Sequence, residues 1–181
     1  LFLGLGRTFH AGARVASGEH GAIEDVLAGI ELAAGAGNPG GAPASLVLLG
    51  AAHLAAGPPG DAPRVGEMGL ALSAQTGQPF FDAELHRLRG EIWLHGSGEG
   101  PERLESEKRA EECFREALAI AKAQQLKQFE LSAAVRLARL WQHRGEPAEG
   151  RRLLAPILGW FTEGFETGEL LAARSLLGEL G

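Results

Sequence analysis

Apolar residues recur every three or four positions along most of this chain, between segments rich in glycine or proline. Phe81, Leu85, Leu88 and Ile92, for example, are spaced at helical intervals. Such spacing places apolar side chains on one face of an α-helix, and glycine and proline mark the turns between helices. The pattern predicts a succession of helices, over about residues 2–16, 21–34, 43–56, 63–76, 80–95, 106–125, 128–143, 147–162 and 168–180.

Small and large residues alternate at fixed offsets in the second half of the chain. Ala110, Phe114 and Ala117 are small, large and small, which allows their helix to pack closely against a neighbouring pair of helices. Trp141 and Gly145 follow in the next helix and its turn. This is the packing rule of tetratricopeptide-type repeats. The turn glycines recur at a spacing of about 39 and then about 49 residues, longer than the roughly 34 residues of a minimal repeat.

We therefore predict an all-α fold, a right-handed superhelical array of antiparallel helix hairpins with a C-terminal capping helix. The whole chain, residues 1–181, is predicted to be one domain. Residues 1–80 form degenerate repeats in this interpretation, and residues 81–181 form well-matched repeats and the cap. Helical repeats of this kind are binding scaffolds with curved surfaces.

Helix ends are predicted from capping and breaking residues. Ser106 is the expected N-cap of the sixth helix, after a flexible polar loop that includes Glu99 to Glu105. Pro156 is expected to kink or shorten the eighth helix. Thr167 is expected to cap the last helix.

The apolar side of each helix gives specific core predictions. In the fourth helix, the expected stripe is Val65, Met68, Leu70 and Leu72. Trp141 and Cys113 are expected in the core. The aromatic group formed by Trp160, Phe161 and Phe165 is expected to lock the last helix over the open end of the preceding hairpin.

Composition and charge narrow the class of protein. The 181 residues carry a net charge of −6, which argues against a general nucleic-acid-binding face. The single Cys113 excludes an internal disulfide framework and fits a reducing cytoplasm. No apolar stretch reaches the length of a membrane span, and the apolar N-terminus lacks a basic leader. Because the chain begins at Leu1 and not at Met, we expect it to be a piece of a longer cytoplasmic protein.

Residues with the spacing of a catalytic or metal site are not found. The glycine-rich segment of residues 35–41 lacks the lysine of a phosphate-binding loop. The six histidines are too far apart in sequence to suggest paired metal ligands. We therefore expect no catalytic, metal-binding or cofactor-binding residue, and a protein that is not an enzyme.

Four strings make the resemblance to a family specific: AELHRLRGEIWL (residues 83–94), AEECFREALAIAKAQ (110–124), ELSAAVRLARLWQHRG (130–145) and LLAPILGWFTEGFETGELLAARSLL (153–177). Together they resemble the C-terminal helical-repeat tail of large bacterial signalling proteins. These proteins carry a class III adenylate or guanylate cyclase domain, or a DNA-binding domain, followed by an AAA-type ATPase of the STAND sort. The resemblance implies a module for signal transduction, without catalytic residues of its own.

The expected binding surface is the concave side of the repeats. In tetratricopeptide proteins the first helix of each hairpin lines this side, and the offsets carry that role to His86, Trp93, Arg139, Gln142 and His143. Trp93 fits either the core or the groove. The expected partner is a protein or peptide, including an acidic one, or the attached ATPase or cyclase domains of the same chain. The alternative is a small-molecule sensor domain of a STAND-type transcriptional regulator, which an enclosed pocket would favour.

Overall fold

The computed structural model describes residues 62–96 and 100–181, together with the single helical positions Asp25, Ala28, Val47 and Gly50. The first three predicted helices, apart from these single positions, lie outside the described residues. So does most of the region interpreted as degenerate repeats.

The described part of the chain is helical and contains no strand. All six helices predicted there are present, so the all-α prediction is confirmed for these residues. Their bounds, in chain order, are α1 (Ala62–Thr76), a short 3-10 helix (Pro79–Phe81), α2 (Asp82–His95), α3 (Pro101–Ala123), α4 (Lys127–His143), α5 (Pro147–Leu158) and α6 (Gly168–Glu179).

The start of α3 corrects one prediction. This helix begins at Pro101, directly after Gly100 with a φ of 79°. Proline suits a first helical position, because the N–H it lacks would have no intrahelical partner there. Ser106 therefore lies inside the helix and is not its N-cap, and most of the segment predicted as a flexible loop is helical. Arg103 pairs with Glu107 one turn later, at 3.0 Å, and supports this first part of α3.

The ends of α5 and α6 follow the breaking residues. The last residue of α5 is Leu158, two positions after Pro156, so the helix is shorter than predicted. Thr167 occupies the N-cap position of α6 with extended backbone angles, as predicted, but its side chain makes no capping hydrogen bond. Its carbonyl accepts the N–H of Leu171 at 3.0 Å.

The packing side of α1 differs from the prediction. Met68 is 37% exposed, and the buried positions are Gly66, Gly69 and Ser73. A Cβ atom at Gly69 would lie 2.4 Å from Leu85 Cδ2 on α2. The glycines therefore bring the backbone of α1 against α2 more closely than larger residues would allow. Of the apolar residues predicted to pack, Leu70 and Leu72 are half-buried and Met68 is exposed, because close approach at the glycines determines this interface.

The core predictions for the later helices are confirmed. Ala110, Phe114 and Ala117 are fully buried, and Trp141 and Cys113 are buried with them. Gly90 on α2 lies against the Phe114 ring, since an added Cβ would come within 2.4 Å of Phe114 Cε1. These small residues allow α2 and α3 to pack closely.

A second apolar cluster joins α4, α5 and α6. It contains Leu131, Ala134, Val135, Ala138, Leu154, Ile157, Leu158, Leu170, Ala173, Leu176 and Leu180. Phe161 packs against this cluster, as predicted, whereas Trp160 is 58% exposed and does not lock α6 in place. Trp160 instead packs edge-to-face on Phe161 and lies beside the Lys127 ammonium.

The order of packing is regular. Each helix from α1 to α5 contacts the next one in the chain, and α4 also contacts both α2 and α6. Three of the predicted binding residues, Arg139, Gln142 and His143, belong to α4, which lies between α2 and α6.

Candidate functional site

Three helices line a cavity of about 570 Å³ that is partly open to solvent, called here the main cavity. Each contributes residues at helical spacing, because positions three, four and seven apart share one face of a helix. The lining residues are Glu91, Leu94 and His95 of α2, Arg103, Glu107 and Phe114 of α3, and Arg136, Arg139, Leu140 and His143 of α4.

Phe114 and Leu140 lie beneath the cavity at 0% and 4% exposure, so its floor rests on apolar side chains that present almost no surface to solvent. Leu94 is half-buried beside them. Above this floor the wall is charged, with three arginines and two histidines against two glutamates. The cavity is thus locally cationic in a chain whose net charge is −6. Such a cavity concentrates anions.

The glutamates in the wall are already paired. Glu91 is 2.8 Å from the buried Arg87 and 2.5 Å from Arg136, so this carboxylate joins α2 to α4. Glu107 accepts from Arg103 at 3.0 Å and from Arg144 at 3.2 Å, which joins α3 to the end of α4. Both carboxylates are therefore neutralised by guanidinium groups and do not repel an incoming anion.

Arg144 extends the second network to Glu111, which also accepts from Arg115 at 2.8 Å and from the Trp141 indole at 3.1 Å. Burial by itself would raise the pKa of Glu111, but these three donors outweigh it and hold the pKa below its ordinary value. The same balance lowers the pKa of Glu107, whose donors are Arg103 and Arg144. Glu107, Glu111 and Arg144 thus form a network of ion pairs that joins α3 to α4, called here the ionised clasp.

A smaller cavity of about 210 Å³, called here the side cavity, lies between α4 and α6. Val135 and Ala172 give it an apolar part, and Ser132 donates to Glu169 across it at 2.8 Å. Arg136 and Arg139 line both cavities. The two cavities therefore meet at the same stretch of α4.

Of the residues that the sequence singled out, the structure brings Arg139 and His143 to the main cavity. Gln142 lies on the α6 side of α4, where its amide donates to Glu179 at 3.4 Å. His86 and Trp93 line neither of these two cavities, and Trp93 instead lines a third one, of about 420 Å³, between α2 and α3.

His86 and Trp93 are on the side of α2 that meets α3. His86 is half-buried, and burial together with the nearby Arg89 lowers its pKa, which Glu116 of α3 opposes. Trp93 packs against the cluster around Phe114, and the Arg109 guanidinium lies 4.6 Å from its ring centre. Of the two alternatives for Trp93, the structure favours packing at the α2–α3 interface.

Sequence reasoning missed several lining residues, most clearly Glu91, His95 and Arg136. A signal was present, because Arg136 lies one helical turn before Arg139 and Leu140, and Glu91 one turn before His95. Arg103 lies in the segment that the sequence predicts as a loop, so no helical spacing indicates its place in the cavity.

Within residues 62–96 and 100–181 no three metal-ligating side chains lie close enough to hold an ion. In the same part of the chain no helix combines the length and the apolar character needed to cross a membrane. Burial raises the pKa of the Cys113 thiol, with Arg89 opposing, which disfavours the thiolate. The main cavity thus combines an apolar floor with a cationic wall.

Compared with known proteins, the chain matches no protein-family model, no curated protein and no solved structure.

Proposed function

We propose that residues 82–181 form a tetratricopeptide-like helical-repeat module whose role is to bind a protein segment. The observation that carries this proposal is the position of the two cavities. They lie on either side of α4, where it meets α2 and α6. In helical-repeat proteins each unit contacts its neighbours, and equivalent helices line one continuous binding surface. Here α2, α4 and α6 are the equivalent helices.

The resemblance of residues 83–177 to the repeat tails of bacterial signalling proteins supports a regulatory setting. In that setting the module belongs to a cytoplasmic signalling ATPase or nucleotide cyclase. The bound segment comes either from a separate protein or from an attached domain of the same chain. The proposed role is binding without catalysis.

The experiment uses a random-peptide library displayed on phage, selected against the 181-residue chain. Synthetic copies of the enriched peptides are then added, and backbone hydrogen exchange is measured by mass spectrometry with and without peptide. Binding should slow exchange in α2, α4 and α6 more than in α5, because α5 lines neither cavity. Protection confined to another part of the chain, or a library that enriches nothing, would contradict the proposal.

A small-molecule sensor is the second candidate, and the main cavity is the observation that favours it. Its volume of about 570 Å³ lies within the range of about 300–1,000 Å³ typical of small-molecule sites. A panel of small organic acids tested by thermal shift discriminates the two functions. A saturable rise in melting temperature with one of these acids, in the absence of any peptide binding, would favour the sensor.

A further inference from the structure

Two arginines, Arg136 and Arg139, line both cavities. Of these two, Arg139 makes no ion pair with a carboxylate among the described residues. Arg136, its neighbour in both cavities, is held by Glu91, and Arg103 is held by Glu107. Among the described residues, by contrast, Arg139 makes no ion pair and no side-chain hydrogen bond. It is half-buried between α2 and α6, so it is only partly hydrated. A partly desolvated guanidinium without a partner is a favourable site for a ligand carboxylate, which it can hold through two parallel hydrogen bonds.

The surroundings of Arg139 strengthen this preference. Burial lowers the pKa of Arg136; Glu91 opposes this effect, while Arg87 and Arg139 add to it through like-charge repulsion. An anion placed between Arg136 and Arg139 would relieve that repulsion. Two further groups that can carry positive charge, His95 and His143, line the same cavity.

The main cavity also offers a place for an apolar ligand group, because the half-buried Leu94 lies on its floor above the buried Phe114 and Leu140. A simple anion would leave Leu94 in contact with water. The side cavity continues beyond Arg139 with a smaller apolar part formed by Val135 and Ala172. A ligand that uses both cavities must therefore be elongated, with an acidic group near its middle and a larger apolar group on one side. An extended peptide has this shape, and its successive side chains can occupy successive pockets.

Resting on the proposed binding role, we propose that the main and side cavities form one track for an acidic peptide segment. Arg139 binds a carboxylate of that segment, and the floor of the main cavity receives the large apolar side chain beside it.

The test begins with the peptides selected from the random library. They should share an aspartate or glutamate next to a leucine, isoleucine or aromatic residue. Their affinities are measured by isothermal titration calorimetry for the unaltered chain and for Arg139→Glu, which reverses the charge. We expect Arg139→Glu to weaken binding by about thirtyfold or more. Arg139→Lys should lose less affinity, because lysine keeps the charge and loses the bidentate geometry.

Arg152→Glu is the matched control. Arg152 lies on α5, its side chain is 71% exposed, and it lines neither cavity. This charge reversal should change affinity by about twofold or less, because it removes no contact to the track. Circular-dichroism melts of both variants show whether they are folded, and we expect both melts to stay close to that of the unaltered chain.

The outcomes separate the two proposals. One result is a set of peptides that protect α2, α4 and α6 from exchange but share no acidic residue. Another is a set that protects these helices but binds Arg139→Glu as tightly as the unaltered chain. Either result overturns the acidic track and leaves the binding role standing. Enrichment of no peptide overturns both. Binding of benzoate as tight as that of the selected peptides overturns the peptide as ligand, since the anion site would then need no extended chain.

Discussion

The two sides of α4 are built differently. Towards α5 and α6, the helix presents Leu131, Ala134 and Ala138 to an apolar cluster. Towards α2 and α3, it combines a smaller apolar cluster, which includes Leu137, Leu140 and Trp141, with the ion pairs of Arg136 and Arg144. Between these polar contacts lies the main cavity.

This difference concerns the free energy that each side of α4 contributes to folding. Burial of apolar surface on the α5–α6 side supplies free energy of folding without directional constraints. On the α2–α3 side, ion pairs add directional contacts to a smaller apolar cluster. Because buried ion pairs contribute little net stability, we expect the α5–α6 side to dominate the free energy of unfolding.

The largest expected effect comes from removing α6 by deleting Thr167 to Gly181. This change exposes the partners of Leu170, Leu176 and Leu180, all at most 6% exposed in the structure. Each buried leucine contributes about 1.5–3 kcal/mol, so we expect a loss of roughly 5 kcal/mol or more. Circular dichroism should show a weaker, broader melt, and dye binding should reveal exposed apolar surface.

A pair of leucines in α6 provides the control. Leu176 is 1% exposed and Leu171 is 53% exposed. We expect Leu176→Ala to cost about 2–5 kcal/mol and Leu171→Ala to stay within about 0.5 kcal/mol. A deletion variant that remains monomeric with an unchanged melting point would contradict the expectation that the α5–α6 side of α4 dominates the free energy of unfolding.

The next effect compares two tryptophans. Trp141 is buried to 9% exposure between α3 and α4, and Trp160 is 58% exposed after α5. Trp141→Ala should lower the free energy of unfolding by about 3–5 kcal/mol, the usual cost of deleting a buried aromatic side chain. Trp160→Ala should cost about 1 kcal/mol or less, since it loses only surface contacts with Phe161 and Lys127. Urea unfolding of both variants measures the difference, and equal losses would show that the α3–α4 junction is not a core.

The sequence predicted the apolar part of this organisation well. Leu85, Leu88 and Ile92 are buried as their spacing indicated, because the position of a large apolar residue on a helix decides which side packs. Glycine carries no such signal, so the packing of α1 through Gly66 and Gly69 was not predicted. A missing side chain marks a close approach only once the neighbouring helix is known.

The lining of the cavities was harder to predict than the core. Arg139 and His143 were singled out by their offsets, yet equivalent offsets gave Trp93, which packs towards α3. A rotation of one position along a helix moves a side chain by about 100°, which is enough to carry it from one interface to the next. The ion pairs of Glu91 and Arg144 join residues distant in sequence, and no spacing within one helix indicates them.

The smallest expected effect concerns the ionised clasp at Glu111. In Glu111→Gln, the acceptor for the Trp141 indole remains, but the charge that holds Arg144 and Arg115 is lost. We expect a loss of about 1–2 kcal/mol at neutral pH, since hydrogen bonds to charged groups exceed neutral ones by roughly this amount. Glu105→Gln is the control, because the Glu105–Arg109 pair is largely exposed and should contribute almost nothing.

The pH dependence of this difference follows from the lowered pKa of Glu111. A carboxyl group whose pKa is lower in the folded state than the ordinary value of 4.5 stabilises the fold above that value. Its contribution is lost as the pH falls through the folded pKa, because the group then takes up a proton in both states. The stability difference between the unaltered chain and Glu111→Gln should therefore stay constant from neutral pH down to about 5 and shrink below the ordinary pKa. Thermal melts across this range measure it. A difference that persists or grows in acid would mean that the carboxylate charge does not hold α3 to α4, and that the apolar cluster of Leu137, Leu140 and Trp141 joins these helices without it.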